Sequence, residues 1–294
     1  MRRTWKIVLA GAMAAMSAAF VAPAATAAPA AVQSLETSFF SGTVNPGATQ
    51  TRSWNNANPL SVSYVVGLSP KGATTTQPCK FEVTRQWYRQ NFGGEREFWY
   101  QIKNVGAIAC GTDINLYSVP DITGSWNTGG VNVGQSVTKH WNNANPLGNV
   151  YAAGVSPEGA TSTTPCQFEV TREWYAQQPG GEREFWFTLT NVGTIACSAE
   201  ILLGTRASFD SSFFGAVASG DSQHRSWNNA NPLSSAHIVG FSPTGATSVA
   251  CQFEKTRQWY EQRLNSGVAE RELHYTLANV GSIACSVDRK LAFA

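Results

Sequence analysis

Histidine and charged residues are scarce in this chain of 294 residues, which has four histidines and only 14% charged residues. No H-E-x-x-H, C-x-x-C, P-loop or G-x-S-x-G element is present, so the familiar signatures of metal, phosphate and nucleophilic chemistry are missing. The chain also lacks a basic cluster, and its acidic and basic residues nearly balance beyond the N-terminus. We therefore expect no enzyme activity, no cofactor, no metal and no nucleic-acid partner.

The longest apolar run lies at the N-terminus, from Ile7 to Val21, and follows three basic residues, Arg2, Arg3 and Lys6. An A-x-A cleavage site follows at Ala25–Ala27, which predicts a signal peptide over residues 1–27 and a short segment over 28–33. A membrane anchor is the alternative interpretation. No other run is long enough to span a membrane, so we expect a secreted, extracellular chain of the bacterial type without a span.

Four sequence blocks occur in the same order three times, which indicates three copies of one module. The blocks begin at Trp54, Gly67, Cys79 and Asn104, again at Trp141, Gly154, Cys166 and Asn191, and again at Trp227, Gly240, Cys251 and Asn279. The equivalent tryptophans are 87 and 86 residues apart, a spacing that suits a small complete domain. The sequence therefore predicts repeats over residues 34–119, 120–206 and 207–294.

Each copy contains two cysteines, separated by 31, 31 and 34 residues. In an exported protein such pairs indicate disulfides, whereas zinc binding is the less economical alternative. Only one set of pairings makes every copy self-contained: Cys79–Cys110, Cys166–Cys197 and Cys251–Cys285. Closing a loop of this length stabilises a domain by roughly 3–4 kcal/mol in the chain-entropy model.

The pattern inside a copy is that of β-strands. Apolar residues alternate with polar ones from Phe81 and again from Arg96, and the turn residues 91–94 between the two runs predict a hairpin. We expect an all-β fold of three tandem small antiparallel β-sandwich repeats of immunoglobulin-like size, with one disulfide each. The short connections favour a stiff row of three domains, and a closed three-fold assembly is the alternative.

The Trp-Asn-Asn-Ala-Asn-Pro-Leu block is the most specific motif in the sequence. It is either a turn whose tryptophan fills the core, or a ligand site in which an indole and several amides face a sugar or a peptide. The predicted ligand-binding residues are Trp54, Asn55, Asn56 and Asn58, Trp141, Asn142, Asn143 and Asn145, and Trp227, Asn228, Asn229 and Asn231.

A second candidate surface is the outer face of the hairpin. If Phe81 and Val83 point inward, simple alternation places one tyrosine and one tryptophan of each hairpin outward. These residues are Tyr88, Trp99, Tyr175, Trp186 and Tyr260, and the third copy carries His274 in place of the tryptophan. Such a face is either a binding platform or a packing surface. The nearby pair Glu95 and Glu97 resembles glycosidase carboxylates, but charge pairing across the strands explains it more simply.

The sequence favours a secreted, non-enzymatic, multivalent binding protein with a lectin-like role. Three weak sites on one chain gain apparent affinity for a repetitive target, such as an extracellular glycan or another surface polymer. Other extracellular proteins are further candidate partners. One alternative is a structural or assembly component of an extracellular layer. Another is a secreted protease inhibitor, for which the stretch from Lys71 to Pro78 is the candidate loop.

Overall fold

The computed structural model describes residues 34–55, 57, 62–119, 122–142, 144, 148–228, 230 and 235–294, which belong to one compact unit, Gln33–Ala294. The predicted signal peptide and the segment 28–33 lie outside the described residues. Every regular element in the described ranges is a β-strand. Within the same ranges, no helix has the length and apolar character needed to cross a membrane.

Each predicted repeat contributes six strands. The first has β1 (Ser34–Phe40), β2 (Thr49–Trp54), β3 (Ser63–Lys71), β4 (Cys79–Gln90), β5 (Arg96–Asn104) and β6 (Gly111–Val119). The second has β7 (Ile122–Asn127), β8 (Ser136–Trp141), β9 (Asn149–Glu158), β10 (Cys166–Gln177), β11 (Arg183–Asn191) and β12 (Ser198–Ala207). The third has β13 (Asp210–Val217), β14 (Ser222–Trp227), β15 (His237–Thr244), β16 (Cys251–Asn265), β17 (Val268–Asn279) and β18 (Cys285–Phe293).

The six strands of a repeat form two antiparallel layers. In the first repeat, β1-β6-β3 is a separate sheet, and β2-β5-β4 is the second layer. The other repeats reproduce this with β7-β12-β9 and β8-β11-β10, and with β13-β18-β15 and β14-β17-β16. Buried side chains such as Leu68, Phe81 and Phe98 fill the space between the layers. The prediction of an all-β fold with small antiparallel sheets is confirmed.

The predicted disulfides are confirmed, since all three bridges form inside the repeats. Cys79 pairs with Cys110 across a Cα–Cα distance of 6.1 Å. The equivalent bridges are Cys166–Cys197 and Cys251–Cys285. In each repeat the first cysteine begins the long strand of one layer, and the second adjoins or begins a strand of the other. The disulfide therefore fastens the two layers together.

The predicted hairpin is also confirmed. β4 and β5 pair along their length, and Phe98, Tyr100 and Ile102 are buried on one face of β5. Gly93 and Gly94 have φ values of 90° and 89° in the connecting turn, a backbone conformation that residues with a side chain rarely adopt. The sequence pattern is therefore sufficient to locate strands and turns within one repeat.

The long hairpin strands of the three repeats pair with one another in a ring. The end of β4 pairs with the start of β10, the end of β10 with the start of β16, and the end of β16 with the start of β4. The second layers thereby merge into one nine-stranded sheet, with β2, β8 and β14 at its outer edges. We call these contacts the first–second, second–third and third–first junctions.

Equivalent contacts repeat at each junction. Gln90 accepts a hydrogen bond from the Ala160 N–H at 3.1 Å, and Gln177 and Gln262 hold the following repeat in the same way. Gly67 packs so closely that a Cβ there would lie 3.0 Å from the Ala236 Cβ. The equivalent glycines Gly154 and Gly240 would meet Ser63 and Val150. The missing side chains let the three repeats approach each other around one axis.

The closed assembly is therefore the arrangement that the strand pairings form, and the favoured row of separate domains is wrong. A continuous apolar core contains buried residues of all three repeats. A second, smaller cluster around Val119, Val150 and Ile238 also joins them. The repeat boundaries 34–119, 120–206 and 207–294 stay a prediction; strand β12 extends to Ala207, one residue past the second of them.

Candidate functional site

A cavity of about 410 Å³ lies where the three repeats meet. Its size is within the range of about 300–1,000 Å³ that is usual for small-molecule sites. Three exposed threonines of the ring strands line it: Thr84, Thr171 and Thr256. Buried residues of β3, β9 and β15 line it as well, among them Val66, Ala152 and Ile238. The cavity is therefore open on the sheet side and closed on the side of the three-stranded sheets.

The strand register brings one residue pair into the cavity at each junction. At the first–second junction the last paired residues are Trp87 and Glu169. Extending this register by one position places Gln86 opposite Val170, and both line the cavity. By the same register, the third–first junction places Gln258 opposite Val83. The second–third junction places Glu173 opposite Lys255. Two junctions therefore present an amide and a valine to the cavity, whereas one presents a carboxylate and an ammonium group.

The two charged groups are half-buried and weakly bonded to the protein. Burial raises the pKa of Glu173, while Lys255 and the Ala153 N–H act in the opposite direction. The Ala153 N–H donates to this carboxylate at 3.4 Å. Burial lowers the pKa of Lys255, and Glu173 opposes that shift. Within the described part of the chain, the Lys255 ammonium has neither a hydrogen-bond nor an ion-pair partner.

Ion pairs between repeats surround the cavity. Arg85 contacts Glu169 at 2.7 Å, and the same pair recurs as Arg172–Glu254 at 2.8 Å. Arg257–Glu82 at 2.8 Å completes the ring. These carboxylates and guanidinium groups neutralise each other at the rim, so the charge inside the cavity comes from Glu173 and Lys255. Glu97 forms the charge pair expected across the hairpin: its carboxylate lies 3.7 Å from the Arg89 guanidinium.

The outer face of each hairpin carries a stack of an arginine and aromatic rings. The Arg85 guanidinium lies 4.9 Å from the centre of the Trp87 ring, which stacks on Trp99 at 5.7 Å. The equivalent stacks are Arg172–Trp174–Trp186 and Arg257–Trp259–His274. His140 covers Trp186 at 4.2 Å. Because neighbouring side chains cover the ring faces, this surface is better suited to stiffening the sheet than to stacking a sugar.

The predicted outward orientation of the hairpin tyrosines is wrong. Tyr88, Tyr175 and Tyr260 are 3%, 4% and 2% exposed, and their hydroxyls accept hydrogen bonds from backbone N–H groups of β3, β9 and β15. A β-bulge between Val83 and Arg85, repeated in β10 and β16, reverses the side-chain alternation. In the sequence, the three consecutive polar residues Thr84, Arg85 and Gln86 interrupt the alternation and indicate the position of this bulge.

The predicted Trp-Asn loops follow the edge strands β2, β8 and β14. Trp54, Trp141 and Trp227 are half-buried and pack against the core, as the turn interpretation expects. Asn55, Asn142 and Asn228 are exposed, and Asn55 accepts a hydrogen bond from the Ser53 hydroxyl at 3.1 Å. The remaining predicted asparagines lie outside the described residues: Asn56, Asn58, Asn143, Asn145, Asn229 and Asn231. Ligand binding by these loops stays a prediction.

The third repeat contains a side-chain cluster that the sequence analysis did not identify. The His274 Nε2 lies 2.9 Å from Glu272 and 3.4 Å from Glu261, and His224 bonds to the other ring nitrogen at 3.0 Å. Three such groups could in principle bind a metal ion. However, Lys80 at 3.1 Å and Arg263 already neutralise Glu261. The cluster is therefore explained as a charge-balanced hydrogen-bond network.

No protein-family model, curated protein or solved structure matches the chain. Among the described residues, the central cavity is the strongest functional candidate, because several polar groups converge there without satisfying one another.

Proposed function

We propose that this is an exported, non-enzymatic binding protein that holds one sugar unit of an extracellular glycan in its central cavity. The observation that carries the proposal is the lining of the cavity, where Gln86, Gln258, Glu173 and Lys255 converge from three repeats. The three disulfides support an oxidising, extracellular setting. We also propose that the chain is exported and that each repeat is an immunoglobulin-like β-sandwich.

The cavity offers the kinds of group that a sugar needs. Amide, carboxylate and ammonium groups can bond to hydroxyls as donors and acceptors. Val66, Ala152 and Ile238 supply an apolar surface for the C–H groups of a sugar ring. The Gln258 side chain is anchored by its Nε2, which donates to the His237 carbonyl oxygen at 3.3 Å. A small number of polar groups in an otherwise apolar pocket is the usual composition of such sites.

The three Trp-Asn loops extend the proposal to multivalent binding. They follow the edge strands of the nine-stranded sheet, whereas the cavity lies at its central ring strands. A repetitive glycan could therefore be held at the cavity and at one or more of the loops. Linked weak contacts of this kind raise apparent affinity without any single strong site.

Glycan-array screening of the chain from residue 28 tests the proposal, followed by calorimetry with the best glycan. Filling the cavity with Val83→Phe and Val170→Phe should abolish binding, since both valines line it. The matched control makes the same change at two exposed valines that do not line the cavity, Val133→Phe and Val268→Phe, which should leave binding unchanged. If the filled variant folds and still binds as well as the unchanged chain, the cavity is not the site. If no glycan binds to the unchanged protein, the proposed function is wrong.

A further inference from the structure

One junction departs from the pattern that the other two share. All three junctions have the same strand pairing, the same arginine–glutamate ion pair and the same glutamine contact. The pairs that face the cavity are Gln86 with Val170 and Gln258 with Val83, but Glu173 with Lys255. An amide and a valine are evidently sufficient to close a junction, so the charged pair is not required for assembly.

The charged pair also carries an energetic cost. Removing a carboxylate and an ammonium group from water is unfavourable unless they bond directly to each other or to other groups. Glu173 receives one long hydrogen bond, from the Ala153 N–H at 3.4 Å. The Lys255 ammonium has no bonded partner among the described residues, although it faces the cavity. The pair is therefore incompletely satisfied by the protein, and a ligand can supply the missing partners.

We propose that the cavity selects a sugar that carries a carboxylate, with Lys255 binding the carboxylate and Glu173 bonding to a ring hydroxyl. This inference rests on the proposed function and names its ligand class. The Lys255 ammonium interacts electrostatically with Glu173 but makes no direct hydrogen bond, so it can bond to an anion, and a charge-assisted hydrogen bond is about twice as strong as a neutral one. The Glu173 carboxylate can accept a hydrogen bond from a ring hydroxyl of the ligand.

The linkage of the repeats in one chain explains why such a site is possible. In a symmetric trimer of identical subunits, any substitution at the axis would appear three times. Here Glu173 and Lys255 each appear once, because the equivalent positions hold Gln86 and Gln258, and Val83 and Val170. A single cationic group can therefore face a single ligand carboxylate without two identical neighbours that would repel one another.

Matched sugars provide the first part of the test. Calorimetry on the chain from residue 28 compares the methyl glycosides of glucuronate, galacturonate and mannuronate with those of glucose, galactose and mannose. Each pair differs only by a carboxylate in place of a hydroxymethyl group. At least one uronate should bind roughly 10- to 100-fold more tightly than its neutral partner, as expected for a hydrogen bond to a charged group.

Matched variants provide the second part. Glu173→Gln with Lys255→Val reproduces the pattern of the other two junctions, so this variant should fold, melt at an unchanged or higher temperature and lose the preference for the uronate. Adding Gln86→Glu and Val170→Lys moves the charged pair to the first–second junction. Because the ring is pseudo-symmetric, that variant should regain the preference.

The outcomes separate this inference from the proposed function. Equal binding of uronates and neutral sugars by the unchanged protein would overturn the inference and leave the function standing. A Glu173→Gln/Lys255→Val variant that keeps the preference would also overturn it. If that variant melts at a lower temperature and the unchanged protein shows no preference, the pair is a structural contact. If none of the sugars and no arrayed glycan binds, both proposals are wrong.

Discussion

Arg257 of the third repeat forms an ion pair with Glu82 of the first, at 2.8 Å, and thereby connects the last repeat to the first. The two residues are 175 positions apart in the sequence. The same pair joins the other repeats in order, as Arg85–Glu169 and Arg172–Glu254. The ring of junctions that these contacts mark has consequences for stability that can be measured.

Reversing one charge of this pair should weaken the ring modestly. Arg257→Glu places two carboxylates together, and we expect it to lower the free energy of unfolding by about 1 kcal/mol, because these pairs lie near the surface and are screened. Adding Glu82→Arg should restore most of the loss. Urea unfolding of both single variants and the double variant measures the coupling, and the equivalent changes at Arg85 and Glu169 serve as the control. If the losses of the two single variants simply add up in the double variant, the ion pair contributes nothing to the free energy of unfolding.

An isolated first repeat should assemble into a homotrimer. Residues 34–119 carry both sides of a junction, so Arg85 of one copy can pair with Glu82 of the next, and Gln86 can face Val83. The second repeat, residues 120–206, would instead bring three copies of Glu173 into one cavity. It should trimerise less well at neutral pH and better in acid, where the carboxylates are protonated. Sedimentation equilibrium of both fragments at neutral and at acidic pH tests the prediction. A strictly monomeric first repeat would contradict it.

His237 should make the protein sensitive to mild acid. Its ring is 1% exposed, and burial lowers its pKa from 6.5 to about 4. The folded state therefore favours the neutral ring, so this contribution to stability is complete above pH 6.5 and is lost as the pH falls towards 4. The maximal loss is about 3 kcal/mol.

The first two repeats supply the control for His237, because they have Tyr64 and Tyr151 at the equivalent position. His237→Tyr should flatten the pH dependence of the melting temperature between pH 6.5 and 4 relative to the unchanged protein. Thermal unfolding followed by circular dichroism at several pH values gives the comparison. Identical pH profiles for the two proteins would mean that His237 is not held neutral in the fold.

Removal of one disulfide should destabilise the whole molecule. Cys251→Ala with Cys285→Ala opens a loop of 34 residues, and we expect a loss of about 3–4 kcal/mol. Because all three repeats share one core, melting should remain a single transition at a lower temperature. Differential scanning calorimetry distinguishes this from independent melting of the third repeat, which would appear as a separate first peak.

Internal repetition made the local structure predictable and the assembly much less so. Strands, hairpins and the pairing of Cys79 with Cys110 follow from patterns inside one repeat. Every repeat has a counterpart of Arg85 and of Glu82. The sequence therefore does not tell whether each arginine pairs with the glutamate of its own repeat or with that of the next. The bulge after Val83 reversed the expected orientation of Tyr88, because alternation assumes an unbroken strand.

The central cavity was missed for a related reason. Glu173 and Lys255 are visible in the sequence as departures from Gln86 and Val83 at equivalent positions, but they are 82 residues apart and belong to different repeats. Only the strand register of the second–third junction places them opposite each other. Departures from an internal repeat therefore become informative once the geometry shows which of them meet.

The outer strands of the nine-stranded sheet also bear on solubility. Ring closure occupies β4, β10 and β16, and leaves β2, β8 and β14 as its exposed edges. Each edge strand is six residues long. At equivalent positions each carries an arginine or lysine that pairs with an inward-facing aromatic residue of the neighbouring strand. These residues are Arg52, Lys139 and Arg225. Short edges with an inward-pointing charge resist pairing with strands of other molecules. We therefore expect these edges to resist edge-to-edge aggregation.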